Sequence, residues 1–87
     1  MLSLPDRLTH RETPPALRDL CVAMDALPAG TTVVIDGERL NRFDSSALGL
    51  LLSCRRRAQA QGRGFSTHAL PQRLTRLAAL YGLADCL

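Results

Sequence analysis

The chain predicts an α/β fold with a small, mostly parallel sheet and about three main helices, and three observations carry that expectation. Thr31 to Asp36 is a β-branched, nearly continuous apolar run, the mark of a strand buried between helices. Three stretches repeat apolar residues at helical spacing, and each follows a segment that reads as extended. Pro28-Ala29-Gly30, Gly62-Arg63-Gly64 and Gly82 then stop those helices in turn.

Taken in order, Leu2, Leu4 and Leu8 alternate loosely around Pro5. Proline removes a donor from a strand ladder, so residues 2–8 read as an edge strand. Thr13-Pro14-Pro15 opens the first helix, with Thr13 as candidate N-cap and the prolines in the first turn. Leu17, Leu20, Cys21, Met24 and Leu27 give that helix one apolar stripe. The strand at 31–36 follows, and residues 37–44 read as a polar connection. A second helix starts at Ser45 or Ser46 and runs to about Gln61, with Ala47, Leu48, Leu50, Leu51, Leu52, Cys54 and Ala58 on a broad apolar face. Arg55, Arg56 and Arg57 sit in its last turns, where cations suit the negative end of the helix dipole. Phe65 to Ala69 is a short strand. Pro71 starts a third helix bearing Leu74, Leu77, Ala78 and Tyr81, which Gly82 closes.

At 87 residues the chain is expected to be a single domain spanning 1–87, since domains usually take ~100–200 residues. Its apolar content of 46% and charged content of 22% match globular proteins, which argues against a disordered or collagen-like chain. The longest apolar run, Ala47 to Leu52, falls far short of the ~20 residues that span a bilayer. With no signal-peptide pattern at the N-terminus, a cytoplasmic location is expected. Cys21, Cys54 and Cys86 are widely spaced and form no Cys-x-x-Cys pair, so three reduced, mostly buried thiols are expected.

Net charge is +3, and all eleven cations are arginine. Residues 1–44 hold five Arg against seven acids, whereas residues 45–87 hold six Arg against Asp85 alone. A basic half suits nucleic acid, but Phe43, Phe65 and Tyr81 are the only aromatics available to stack on bases, so no nucleic-acid partner is expected.

Enzyme patterns find little purchase. His10 and His68 lie far apart, without metal-ligand spacing, and read as surface or turn histidines. A phosphate-binding Gly-rich loop ending in Lys is excluded because the chain has no lysine, and Ser45 and Ser46 lack a Gly-x-Ser-x-Gly elbow. No catalytic residue, metal or cofactor is expected.

The segment that stands out is Arg42-Phe43-Asp44-Ser45-Ser46-Ala47-Leu48, where an acid and two hydroxyls stand at the start of an apolar helix. One reading is a cap, with Asp44 or Ser45 accepting from the free N–H groups of the first turn. The other is a binding site: a hydroxyl there is exposed, and a phosphate placed on it would meet free donors and a favourable dipole, with Asp44 opposing it.

Val33-Val34-Ile35-Asp36 followed by Phe43-Asp44-Ser45-Ser46-Ala47-Leu48-Gly49-Leu50-Leu51-Leu52 resembles the core of a STAS domain. That family's pattern is a buried strand ending in Asp, then Asp, two hydroxyl or small residues, Gly and Leu at the start of the next helix. The likeness continues through Gln59-Ala60-Gln61-Gly62 and Leu74-Thr75-Arg76-Leu77-Ala78-Ala79-Leu80-Tyr81-Gly82-Leu83. Residues 31–87 are covered well, and residues 2–30 loosely, through Leu4-Pro5-Asp6-Arg7-Leu8-Thr9. Within the family the short chain and its Leu-Tyr-Gly-Leu helix ending are most similar to the MlaB-type branch. Those are small cytoplasmic subunits of the phospholipid ABC transporters that maintain lipid asymmetry in Gram-negative bacteria.

The resemblance implies a STAS-like fold and a non-catalytic subunit that binds the transporter's ATPase subunit, within a complex with permease and substrate-binding subunits. It would touch the inner membrane only through that complex. By position, Ser45 falls at the ATPase contact and at the site that is phosphorylated in anti-sigma-factor antagonists, the alternative function. Asp44 and Ser46 flank it. The expected binding surface runs from Arg42 to Ser46, along the exposed flank of the second helix, and to the first helix near Leu17. Two departures stand out. Ala47 replaces the family's glycine, and a single strand precedes the first helix where the family has a hairpin, so the family's first strand is expected to be missing or the start placed late. The edge left at Leu2 to Leu8 makes self-association of the isolated chain an expectation.

Overall fold

Val33 and Ile35 are fully buried while Val34 and Asp36 are only half-buried, and that alternation sets the architecture. It belongs to strand β3 (Val33–Asp36), the centre of a three-stranded sheet in a computed structural model that describes residues 1–83. Strand β1 (Leu2–Ser3) lies on one side of β3, with Leu2 opposite Ile35, and strand β5 (Phe65–His68) on the other, with Phe65 opposite Val33. Both pairings are parallel, which requires crossover connections, here through helices.

The helices are α1 (Thr13–Asp25), α2 (Ser46–Ala60) and α3 (Gln72–Leu80). Leu20 and Met24 of α1, Ala47, Leu50, Leu51, Cys54 and Ala58 of α2, and Leu74 and Ala78 of α3 join Val33 and Ile35 in one core. The face of the sheet that carries Ser3, Val34, Asp36, Ser66 and His68 is polar and open to half-open. The central strand is therefore buried on one face, not between two helical layers, which is why its burial alternates.

The segment expected as one edge strand is two. Pro5 interrupts it, and the chain turns so that β2 (Arg7–Leu8) leaves β1 and pairs in parallel with β4 (Arg42–Phe43) as a separate two-stranded sheet. Strand β4 lies inside residues 37–44, expected to be a plain connection. The N–H groups of Asn41 and Arg42 both donate to the Asp6 carbonyl, at 2.8 and 2.9 Å. Leu4 and Leu8 are nearly or fully buried, so both halves of the broken strand still contribute to the core. Strands β1 and β2 do not pair with each other; each joins a strand that follows α1.

Helix ends follow local chemistry, with one correction. Thr13 is not the N-cap of α1: it is the first helical residue, and its hydroxyl donates to the Thr9 carbonyl at 2.9 Å. Thr9 and Glu12 do the capping work instead. Glu12 Oε1 accepts from the Thr9 N–H (3.1 Å) and hydroxyl (2.6 Å), half of a capping box one turn earlier. Helix α2 closes with the Arg63 N–H on the Ala58 carbonyl and the Gly62 N–H on that of Gln59; α3 closes the same way with Leu83 on Ala78 and Gly82 on Ala79. These are Schellman closures, and each needs the left-handed backbone that Gly62 and Gly82 adopt, both at φ +70°.

Candidate functional site

Pairing of β2 with β4 carries the chain from Phe43 directly alongside Leu8, and the Asp44 N–H reaches back to the Leu8 carbonyl at 3.4 Å. Asp44 thus meets residues that lie 34 positions earlier in the chain. Its Oδ2 accepts from the His10 N–H at 3.0 Å, while its Oδ1 accepts from the Ser46 N–H at 2.8 Å, and His10 Nδ1 lies 3.6 Å from Oδ2. Of the two cap candidates, Asp44 is the one that bonds.

Those contacts favour the ionised carboxylate. The Ser46 hydroxyl and N–H beside it, then the His10 backbone and ring, hold the Asp44 carboxyl below the usual carboxylate range, against a small opposing effect of burial. The outcome for Ser45 is a position at the N-cap with helical backbone (φ −62°, ψ −15°) and a side chain that makes no cap bond. Its carbonyl accepts from Leu48 and Gly49, but its hydroxyl stands exposed and uncommitted among the described residues. Ser46 is half-buried and is the first residue of α2.

Ala47, which replaces the family's glycine, has no exposed surface. Its methyl group is buried in the core, so it leaves the approach to Ser45 open. The open position is Gly49, where a Cβ would meet nothing within 4 Å.

Ser45 forms one end of an apolar trough of about 300 Å³. Leu48, Gly49 and Leu52 continue it along α2, and Tyr81 and Leu83 close it from beyond the end of α3. Tyr81 is 61% exposed and Leu80 83%, so Tyr81 belongs to the surface and not, as its spacing suggested, to the apolar core of α3. At the other end of α3, the Arg73 guanidinium carbon sits 5.0 Å from the centroid of the half-buried Phe43 ring.

Not every expected residue gathers here. Arg42 is exposed on β4 beside the turn, and stands opposite Arg7 in the two-stranded sheet. Leu17 is half-buried against the core and does not line the trough. Arg57 is more than a solvated helix end: its guanidinium forks onto Asp25, whose carboxylate also accepts from Gln61. His10, Arg73, Tyr81 and Leu83 join the neighbourhood without having been placed in the expected surface. The exposed Leu-Tyr pair at the end of α3 was the one signal that could have revealed part of it. A larger cleft of about 440 Å³ between residues 1–5 and α1 lies apart from Ser45. His68 is exposed on β5, and Cys86 and Asp85 lie outside the described residues.

Among the described residues no helix is long and apolar enough to cross a membrane. No curated protein matches the chain. A family model does, and over its whole length: residues 1–87 match the family described as Mlab, STAS domain. With three helices beside parallel strands and an Asp-Ser-Ser turn leading into α2, the chain belongs to the MlaB-like STAS domains.

Proposed function

We propose that this chain is a non-catalytic regulatory subunit that binds the ATPase subunit of a phospholipid ABC transporter and supports its assembly and activity. The observation that carries the reading is the Ser45 hydroxyl, exposed and unspent at the head of an apolar trough while Asp44 alone caps the helix. A hydroxyl released from capping is free to meet a partner, and Leu52, Leu83 and Tyr81 beside it offer apolar area for a stable contact. In such a complex the chain would sit at the cytoplasmic side of the inner membrane, held there by its partners.

The test begins with a tagged chain in its native host and identification of what co-purifies. An ABC ATPase with its permease, and an unmodified Ser45 peptide, is the expected result. A serine kinase in their place, with phosphate on Ser45, would turn the reading to an anti-sigma-factor antagonist. With the ATPase in hand, Ser45→Arg should weaken binding at least tenfold in a titration while leaving the circular dichroism spectrum and thermal midpoint unchanged. Equal affinity of wild type and variant would take Ser45 out of the interface.

A further inference from the structure

Residues 45–83 contain six arginines and no carboxylate. Two of the six are spent within the chain: Arg57 on Asp25, and Arg63 on the carbonyls of Leu27, Pro28 and Thr31. Arg55, Arg56, Arg73 and Arg76 form no ion pair among the described residues. These four lie on α2 and α3, the helices that frame the trough at Ser45. Arg56 follows Leu52 by one turn of α2, and Arg55 follows Leu48 by two. Arg73 lies on the same ridge of α3 as Leu77 and Tyr81, and its stacking on Phe43 holds it at the Ser45 end. Arg56 thus follows the trough's last leucine on α2, and Arg73 stacks on Phe43, two residues before Ser45. Asp44, beside Ser45, is occupied by two backbone N–H groups.

From this we infer that the partner enters the trough with an acidic amphipathic helix, its apolar stripe on Leu52, Tyr81 and Leu83 and its carboxylates on the flanking arginines; the inference rests on the reading of the chain as a binding subunit. Three features of the surface fit that occupant. The distance from Ser45 to Arg56 along α2 is about 16 Å at 1.5 Å per residue, which matches about three turns of a docked helix. Gly49 leaves the floor open, so a partner backbone can come close. Guanidinium groups that form no ion pair among the described residues match carboxylates in a two-pronged geometry, and they would do so beside a surface that excludes water. An anionic bilayer would also attract the arginines, but it takes up apolar side chains that protrude, and here Leu48, Leu52 and Leu83 line a hollow.

Two binding measurements on the full chain separate this inference from the proposed function. In the first, the purified ATPase is titrated with wild type, Arg73→Glu/Arg76→Glu and Arg55→Glu/Arg56→Glu. Each double variant is checked by its thermal midpoint, and two pairs are used so that one misfolded variant leaves the other to decide. At least tenfold weaker binding by a folded pair, and wild-type affinity that falls steeply with added salt, is expected. Unchanged affinity for both pairs overturns the inference while the proposed function stands. In the second, the chain is titrated with a 14-residue helical peptide bearing leucines at i, i+3, i+4 and i+7 and glutamates on the flanks, and with its lysine counterpart, followed by amide chemical shifts. Preference for the glutamate peptide, with shifts at Gly49, Leu52 and Tyr81, supports the inference even if the ATPase does not bind at all, an outcome that would sink the proposed function alone. No preference, or arginine-dependent binding to vesicles containing 30% phosphatidylglycerol with neither peptide bound, overturns it.

Discussion

Asp44 and Ser45 are adjacent, both suit a helix start, and the structure gives them opposite duties. The carboxylate reaches two N–H groups, one local and one from His10, because it has two acceptor oxygens and a side chain long enough to bridge them. A hydroxyl has no such reach, and with the Ser46 N–H already satisfied, Ser45 is left facing solvent. The thiols divide in the same way. Cys54 has no exposed surface, and burial, reinforced by the neighbouring Cys21, pushes its pKa up to about 11. The reactive thiolate is then scarce at neutral pH. Native protein treated with iodoacetamide at pH 8 should carry label on the half-buried Cys21 well before Cys54, with mass spectrometry of the two peptides as the readout. Equal labelling rates in the folded protein would contradict the burial of Cys54 between α1 and α2.

At the scale of elements, the junctions show which ends are self-sufficient. Helices α2 and α3 close themselves with a glycine and two backbone bonds, so their termini are written in a few adjacent residues. Helix α1 ends at Ala26 in ordinary helical backbone, and the carbonyls beyond it look elsewhere for donors. Arg63, from the turn between α2 and β5, provides them: Nη2 donates to Leu27 at 2.8 Å and Nη1 to Pro28 at 2.6 Å. One side chain thus ties the α1–β3 loop to the α2–β5 turn. Arg63→Ala should lower stability by about 1–2 kcal/mol, the usual net worth of hydrogen bonds from a charged donor, measured as a shift in the urea midpoint. Arg63→Lys should recover part of it at most, because an ammonium cannot copy the planar fork. An alanine variant with the wild-type midpoint would mean that water replaces the clamp without loss.

For the molecule as a whole, the acidic half supplies carboxylates that bond both to close neighbours and across the chain. Glu12 is bonded by the Thr9 hydroxyl, Asp25 by Arg57 and Gln61, and Asp44 by Ser46 and His10, and each carboxyl is held below its usual range. A depressed folded-state pKa stabilises above the unfolded value and is lost as pH falls through the folded one. Stability should therefore stay level from pH 7 to about 5 and fall below about pH 4, where unfolded carboxylates begin to take up protons. Urea midpoints across that range test this, and Asp25→Asn should flatten the decline, more clearly at low salt because the Arg57 pair is exposed. A midpoint that holds steady down to pH 3 would show that none of the three contacts matters energetically.

What could be read without coordinates was whatever local spacing encodes. The 3.6-residue recurrence from Ala47 to Ala58 is enough to choose α2 and its buried face, because one side of a helix must find apolar cover whatever lies opposite. Thr31 to Asp36 announced a strand, Gly62 and Gly82 announced helix ends, and the Asp-Ser-Ser start announced the family. Tertiary structure decided the rest. Strands β2 and β4 are two residues each, too short to show any period, and they exist only because residues 6–8 and 41–43 meet across 34 intervening positions. That meeting brings His10 to Asp44, releases the Ser45 hydroxyl and completes the site. Tyr81 shares a helical spacing with Leu74 and Ala78, but α3 ends at Leu80 and Tyr81 stands 61% exposed as its C-cap. Periodicity specifies which side of a helix is apolar, whereas the packing of neighbouring elements decides how much of that side is covered, and at the end of α3 it leaves Leu80 and Tyr81 exposed.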